Sequence, residues 1–167
     1  MRIPPNYAFL ALILALAGCA VTPHEPSASA AATTPSALLA DGDAALERGD
    51  LPAAATAYRR AAEASDDESI AEQATRVAFD NFQLQETARS ADRWLVLNPT
   101  NEQAHRYAGV AALRLHRLDA AEKHFTELLD SAYISPAAGY LALLPLVADE
   151  ASPTDVTALF VLSLIHI

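Results

Sequence analysis

Apolar residues recur every three to four positions from about residue 35 onwards, which is the period of an amphipathic α-helix. No window alternates apolar and polar residues with a period of two, as a half-buried strand does. The helix formers Ala, Leu, Glu and Arg dominate the same region. The pattern therefore predicts an all-α fold.

Capping signals divide this region into separate helices. A hydroxyl residue precedes a Pro at Thr34-Pro35, Ser135-Pro136 and Ser152-Pro153, as at a first helical position. Ser65–Glu68 and Thr100–Gln103 fit the capping-box pattern. The predicted helices are 35–48, 51–64, 67–80, 84–97, 101–116, 118–131 and 136–148, with a further start near 153. Because the gaps are short, neighbouring helices should form antiparallel hairpins.

One spacing of small and aromatic residues occurs twice in the chain. The two sets are Gly42, Ala54, Tyr58 and Ala61, and Gly109, Ala121, Phe125 and Leu128. In both sets the successive separations in sequence number are 12, 4 and 3. The second set is offset from the first by 67, close to twice 34, which indicates an internal repeat.

This pattern resembles the tetratricopeptide repeat (TPR) family, whose 34-residue unit is a helix-turn-helix with small residues where its helices cross. Gly49-Asp50 matches the turn inside a unit, and Asn98-Pro99 matches the end of one. The resemblance implies TPR-like repeats over 35–161, stacked as a short right-handed α-solenoid. The implied units are about 35–67, 68–101, 102–134 and a partial unit over 135–161.

The chain departs from the family pattern at several positions. Thr75 and Thr87 stand at the two small positions of the second unit, and Ala91 replaces its aromatic residue. In the third unit His116-Arg117 stands where Gly-Asp is expected. A helical bundle without repeats is the alternative. In either fold the aromatic residues at helical spacing are expected in the core, namely Tyr58, Phe79, Phe82, Trp94 and Phe125.

Residues 1–18 have the organisation of a signal peptide. Arg2 precedes the apolar run Ala8–Ala17, which is about 15 Å long as a helix, half of a hydrocarbon core about 30 Å thick. The run ends in Leu16-Ala17-Gly18-Cys19, which resembles the lipobox of bacterial lipoproteins and implies lipidation of Cys19. Because Ala20 follows instead of Asp, the resemblance also implies the periplasmic face of the outer membrane. The alternatives are an incidental Cys19 behind an ordinary signal peptide, or a module soluble in the periplasm.

The segments that flank the helical region have their own composition. Residues 20–34 are rich in Ala, Ser, Thr and Pro and cannot bury enough area to offset their ordering entropy. We therefore expect residues 19–34 to be a lipidated Cys followed by a disordered tether. At the other end, residues 162–167 (LSLIHI) resemble a translated transposon end used in making sequencing libraries. We expect this segment to be a non-native tail, and the natural chain to continue beyond residue 161.

Charge and motifs exclude several classes of function. The formal net charge is -10, which argues against nucleic-acid binding because phosphate contacts need clustered Lys and Arg. The sequence has neither a Gly-rich phosphate loop nor a Gly-x-Ser-x-Gly elbow. His105, His116 and His124 are spaced by 11 and 8, so no pair has the i, i+4 spacing of a helical zinc site. We therefore expect no catalytic residue, no cofactor and no metal site.

The TPR resemblance implies a binding surface on the first helix of each unit. The matching positions are Asp43 and Glu47 in the first unit, Glu72, Arg76 and Asp80 in the second, and Arg106 and Arg114 in the third. The three Arg residues either form a strip that binds an acidic peptide or make local pairs with Glu72, Asp80 and Glu102.

The sequence favours a scaffold for a protein or peptide partner, tethered to the membrane through Cys19. The alternative is the recruiting arm of a longer cell-wall enzyme whose catalytic domain lies beyond residue 161.

Overall fold

The computed structural model describes residues 34–131, Val147 and residues 152–165. In these residues every regular element is a helix. The helices are α1 (Pro35–Glu47), α2 (Leu51–Glu63), α3 (Glu68–Asp80), α4 (Leu84–Leu97), α5 (Glu102–Arg114), α6 (Leu118–Ser131) and α7 (Pro153–Ile165). The all-α prediction is confirmed, and the bounds of the described helices agree closely with the predicted ones.

Some predictions lie outside the described residues. These are the signal peptide over 1–18, Cys19, and the tether up to residue 33. The predicted helix over 136–148 also lies outside them, except for Val147, which is helical and buried. The helix α7 continues through Ile165, so it includes most of the segment expected to be a non-native tail.

Each helix packs against the next one along the chain. The pairs α1–α2, α3–α4 and α5–α6 form three antiparallel hairpins, which we call units 1, 2 and 3. The helix α2 also contacts α4, and α3 contacts α5, so equivalent helices of successive units touch. Contacts between equivalent helices are typical of stacked helical repeats, in which each unit packs on its neighbour. The helix α7 packs against α6.

Two Gly residues set how closely the helices of a unit approach. A Cβ atom added to Gly42 would lie 2.8 Å from two ring carbons of Tyr58, and one added to Gly109 would lie 2.8 Å from Phe125. Both rings are almost fully buried, so neither can move aside into solvent. The repeated spacing therefore corresponds to the same helix crossing in units 1 and 3.

Unit 2 makes the equivalent crossing with different residues. Thr75 and Ala91 are both fully buried and have the same separation in sequence as Gly42 and Tyr58. Because Ala91 has no ring, the position opposite it can hold a larger residue than Gly. The Thr75 hydroxyl donates to the carbonyl of Ala71, 2.8 Å away on its own helix, so the buried polar atom is satisfied. The two departures from the repeat pattern thus compensate each other.

The turn between the two helices is the same in all three units. Gly49 has φ 73°, Phe82 has φ 56° and His116 has φ 57°, so each adopts the left-handed conformation. In each turn this residue donates its amide to the carbonyl three positions earlier, at 2.9 to 3.0 Å. The His116-Arg117 turn therefore has the geometry of Gly49-Asp50 without a Gly. The Phe82 side chain is 74% exposed at its turn, so the expectation that Phe82 lies in the core was wrong.

The caps at two helix starts differ from the predicted capping boxes. Asp67, not Ser65, caps α3, and its carboxylate accepts the amide of Ser69 at 2.9 Å. Asn101, not Thr100, caps α5 through the amide of Ala104 at 3.0 Å. Asp and Asn cap as well as Ser or Thr, and here they stand immediately before the first helical residue. The predicted cap at Thr34 is confirmed by its bond to the amide of Ala37.

Candidate interaction surface

A polar stripe on α3 lines a shallow depression. Its residues lie three to four positions apart, on one side of the helix, and are Ser69, Glu72, Gln73, Arg76, Val77 and Asp80. The depression has a volume of about 370 Å³. It therefore contains all three α3 residues that the TPR resemblance assigns to a binding surface.

The repeat places matching positions on α1 and α5. Asp43 and Glu47 of α1 stand about one repeat length before Arg76 and Asp80, and both are exposed. Arg106 of α5 stands one repeat length after Glu72 and is also exposed, while the equivalent Arg114 is half-buried. We call the set of Asp43, Glu47, Glu72, Arg76, Asp80, Arg106 and Arg114 the odd-helix face, since all its residues lie on α1, α3 or α5.

Tyr58 connects α1 and α3 behind this face. Its hydroxyl donates to the carboxylate of Asp43, and the side chain of Gln73 also bonds to it. Burial, the hydrogen bond to Asp43 and the negative charge there together raise the pKa of Tyr58 to about 12. Tyr58 therefore stays protonated at physiological pH and fixes the position of the Asp43 carboxylate.

The three Arg residues of the face each have a local contact. Arg76 forms an ion pair with Glu72 on the same helix at 3.4 Å, as the local-pair interpretation expects. Arg114 lies over the rings of Phe79 and Phe82, with its guanidinium carbon 5.3 and 5.8 Å from their centroids. The guanidinium carbon of Arg106 lies 5.8 Å from the ring centroid of Tyr107. These cation–π contacts hold the guanidinium groups of Arg106 and Arg114 near aromatic surface.

Glu68 joins unit 2 to unit 3. Its Oε1 atom accepts hydrogen bonds from the indole of Trp94 at 2.7 Å and from the side-chain amides of Asn98 and Asn101 at 3.0 Å. The bond from Trp94 and those from the two Asn residues lower the pKa of Glu68. The sequence predicted only a capping box at Ser65–Glu68. Because all three donors lie beyond the end of α3, in α4 or after it, no local pattern predicts this contact.

Arg93 closes the junction between units 1 and 2. Its guanidinium donates to the carbonyls of Ala62 and Ser65, at 3.1 and 2.5 Å, and to the carboxylate of Asp66 at 2.7 Å. A cation is favourable there because it satisfies carbonyl groups at the C-terminal end of α2. Arg93 therefore joins unit 2 to unit 1, as Glu68 and its partners join unit 2 to unit 3.

Two histidines that are distant in sequence meet between α5 and α6. The Nδ1 atoms of His105 and His124 are 3.2 Å apart, and His105 Nε2 lies 3.0 Å from the carbonyl of Pro99. A carbonyl only accepts, so His105 carries its proton on Nε2, and its Nδ1 accepts from His124. Burial, with smaller contributions from His105 and Lys123, lowers the pKa of His124 to about 4.

The spacing of His residues within one helix carries no information about this pair, so the contact was not predicted from the sequence. Within the part of the chain that the structure describes, no group of three or more His, Cys, Asp or Glu side chains is arranged to hold a metal ion. The third histidine, His116, lies at the predicted helix end, and its Nδ1 is 2.9 Å from the carboxylate of Asp155 at the start of α7.

No family model matches the chain, and no curated protein shows significant similarity to it. Among the described helices, none is both long and apolar enough to cross a membrane. The described residues thus define an all-α protein of consecutive packed hairpins with a polar face on alternate helices.

Proposed function

We propose that this protein is a lipid-anchored, TPR-like scaffold that binds a protein or peptide partner at its odd-helix face. The observation that carries the proposal is that α1, α3 and α5 occupy equivalent positions in the three units. All three present polar side chains at matching positions, and the α3 stripe lines an open depression about 370 Å³ in volume. A surface repeated along stacked helices offers an extended partner several similar contacts.

The construction of the face supports a binding role. Asp43 is fixed by Tyr58, and Arg106 and Arg114 are held against aromatic rings. Side chains that are already ordered lose less conformational entropy when a partner binds. The face is therefore better suited to binding than the same charges on unrestrained side chains.

The anchor and location rest on the N-terminal sequence. The lipobox-like Leu16-Ala17-Gly18-Cys19 supports lipidation of Cys19, and Ala20 supports the periplasmic face of the outer membrane. Several acyl chains on one residue give stable anchoring. Replacing Cys19 by Ser should move the protein from the membrane fraction to the soluble periplasmic fraction. Unchanged membrane fractionation of the Cys19→Ser variant would contradict the anchor.

Site-specific photocrosslinking in living bacteria tests the binding role. A photoreactive residue at Asp80, on the odd-helix face, should form a discrete crosslinked band with a partner protein. The matched control is Val96 on α4, which is 69% exposed but does not belong to the face. A band from Asp80 and none from Val96 supports the proposal. No band from Asp80, or the same band from both positions, would overturn it.

A further inference from the structure

The charges of the odd-helix face change sign along the stack of units. The α1 positions carry two carboxylates, Asp43 and Glu47. The α3 positions carry two carboxylates and one guanidinium, and the α5 positions carry the guanidinium groups of Arg106 and Arg114. The face is therefore acidic at unit 1, mixed at unit 2 and basic at unit 3.

The contacts within the face preserve this order. The ion pair of Arg76 with Glu72 lies within the mixed α3 positions. At the acidic end, Asp43 accepts from the neutral hydroxyl of Tyr58, which keeps its proton because its pKa is raised to about 12. At the basic end, Arg106 contacts the uncharged ring of Tyr107. Hydrogen bonds and ring contacts of this kind orient a charge without cancelling it.

We infer that the face binds an extended segment of a partner protein whose own charges are ordered, with basic residues over α1 and acidic residues over α5. This inference rests on the proposed binding function and adds the partner's chemistry. Tyr58 bonds to Asp43 of α1 and to Gln73 of α3, and α3 packs against α5, so the three helices lie side by side. Neighbouring helices lie about 8–10 Å apart, which places α1 and α5 about 20 Å apart. An extended chain covers about 3.3 Å per residue, so about six residues separate the two charged ends of the segment.

Charge order excludes the two simpler ligands. A uniformly acidic segment would meet Asp43 and Glu47 at one end, and a uniformly basic one would meet Arg106 and Arg114 at the other. Like charges placed against each other at an interface suppress the wrong partner, whereas opposite charges fix the register of the right one. The face therefore also sets the direction in which the segment lies.

Fluorescence anisotropy with labelled peptides tests this inference on the full chain in detergent. The ordered peptide has two Lys and two Asp separated by about six neutral residues. The scrambled peptide has the same composition with Lys and Asp alternating. The ordered peptide should bind at least threefold more tightly at low salt, and the difference should shrink as salt screens the charges. Equal affinities, or tightest binding of a uniformly acidic peptide, would overturn the inference.

Charge-reversal variants test whether the preference for the ordered peptide comes from the odd-helix face. The Arg106→Glu variant should bind the ordered peptide at least threefold more weakly, because both ends of its face now carry carboxylates. Adding Glu47→Lys to Arg106→Glu leaves one positive and one negative side chain at each end of the face. This double variant should therefore bind the ordered and the scrambled peptide equally. Unchanged midpoints of urea unfolding in both variants exclude misfolding as the cause of the loss. The matched control is Arg89→Glu on α4, which should leave the affinity unchanged.

The outcomes separate the inference from the proposed function. An Arg106→Glu effect no larger than that of Arg89→Glu, or a double variant that still prefers the ordered peptide, would overturn the charge order. If crosslinking at Asp80 still captures a partner in that case, the binding function stands and only the partner's chemistry is wrong. If crosslinking also fails, both proposals fall.

Discussion

Adding one methyl group at Gly109 tests whether the contact of Gly with a ring sets the helix crossing in unit 3. The Cβ of Gly109→Ala would lie 2.8, 3.0 and 3.1 Å from three ring carbons of Phe125. Phe125 is 1% exposed, so its ring can move only by displacing other core side chains. Overpacking of this kind costs about 1–3 kcal/mol, whereas Gly to Ala in a helix gains about 1 kcal/mol. We therefore expect a net destabilisation of about 1 kcal/mol.

A double-mutant cycle separates the cost of overpacking from the gain in helix propensity. With Leu in place of Phe125 the ring is absent, so only the helix-propensity gain remains. Gly109→Ala should then stabilise the Phe125→Leu protein by up to about 1 kcal/mol, which reverses the sign of its effect. Urea unfolding followed by circular dichroism measures all four proteins. The reasoning would be refuted by a Gly109→Ala effect that is the same in both backgrounds.

Three further predictions concern contacts described above. Glu68→Ala should lower the midpoint of urea unfolding, because it leaves the buried Trp94 indole without its acceptor. Glu68→Gln should lower the midpoint less. Equal effects of the two variants would contradict the role of Glu68 as that acceptor. Phe82→Gly should raise the free energy of unfolding by about 0.5–1 kcal/mol, because a non-Gly residue at φ 56° is strained; a loss of stability would count against the strain. The pKa of His124 falls to about 4 in the folded state, below its ordinary 6.5, so the folded state binds a proton less readily than the unfolded state. Lowering the pH from about 6.5 to about 4 should therefore reduce the free energy of unfolding by at most about 3 kcal/mol. The His124→Gln variant should lose this decline, and an unchanged pH profile in urea unfolding would contradict the assignment.

The fold was predictable because its signals are local. Periodic apolar residues, and cap residues such as Thr34, located the described helices closely. The repeated spacing from Gly42 to Tyr58 and from Gly109 to Phe125 reported a real steric contact. The left-handed turn at Phe82 had a usable signal as well, since it lies about one repeat length after Gly49, but Phe itself does not favour that conformation. The expectation that aromatic residues are buried therefore placed Phe82 in the core.

The missed features depend on contacts between units. The hydrogen bonds of Glu68 reach forward from α3 to α4 and to the start of α5, and those of Arg93 reach back from α4 to the end of α2. His105 and His124 meet because α5 and α6 are antiparallel, so helical spacing within one element carries no information about the pair. For the odd-helix face, the positions in the sequence came from the resemblance to tetratricopeptide repeats. Only the structure supplied the contacts that hold Asp43 and the Arg residues in place.

Chemical-shift mapping of the backbone amides is the most direct test of the central claim, that alternate helices of a repeat form the binding surface. The full chain would be titrated with the partner segment recovered by crosslinking at Asp80. Shift changes in the three units should concentrate on α1, α3 and α5, with the largest on the α3 stripe. Changes confined to α2, α4 and α6 would contradict the claim.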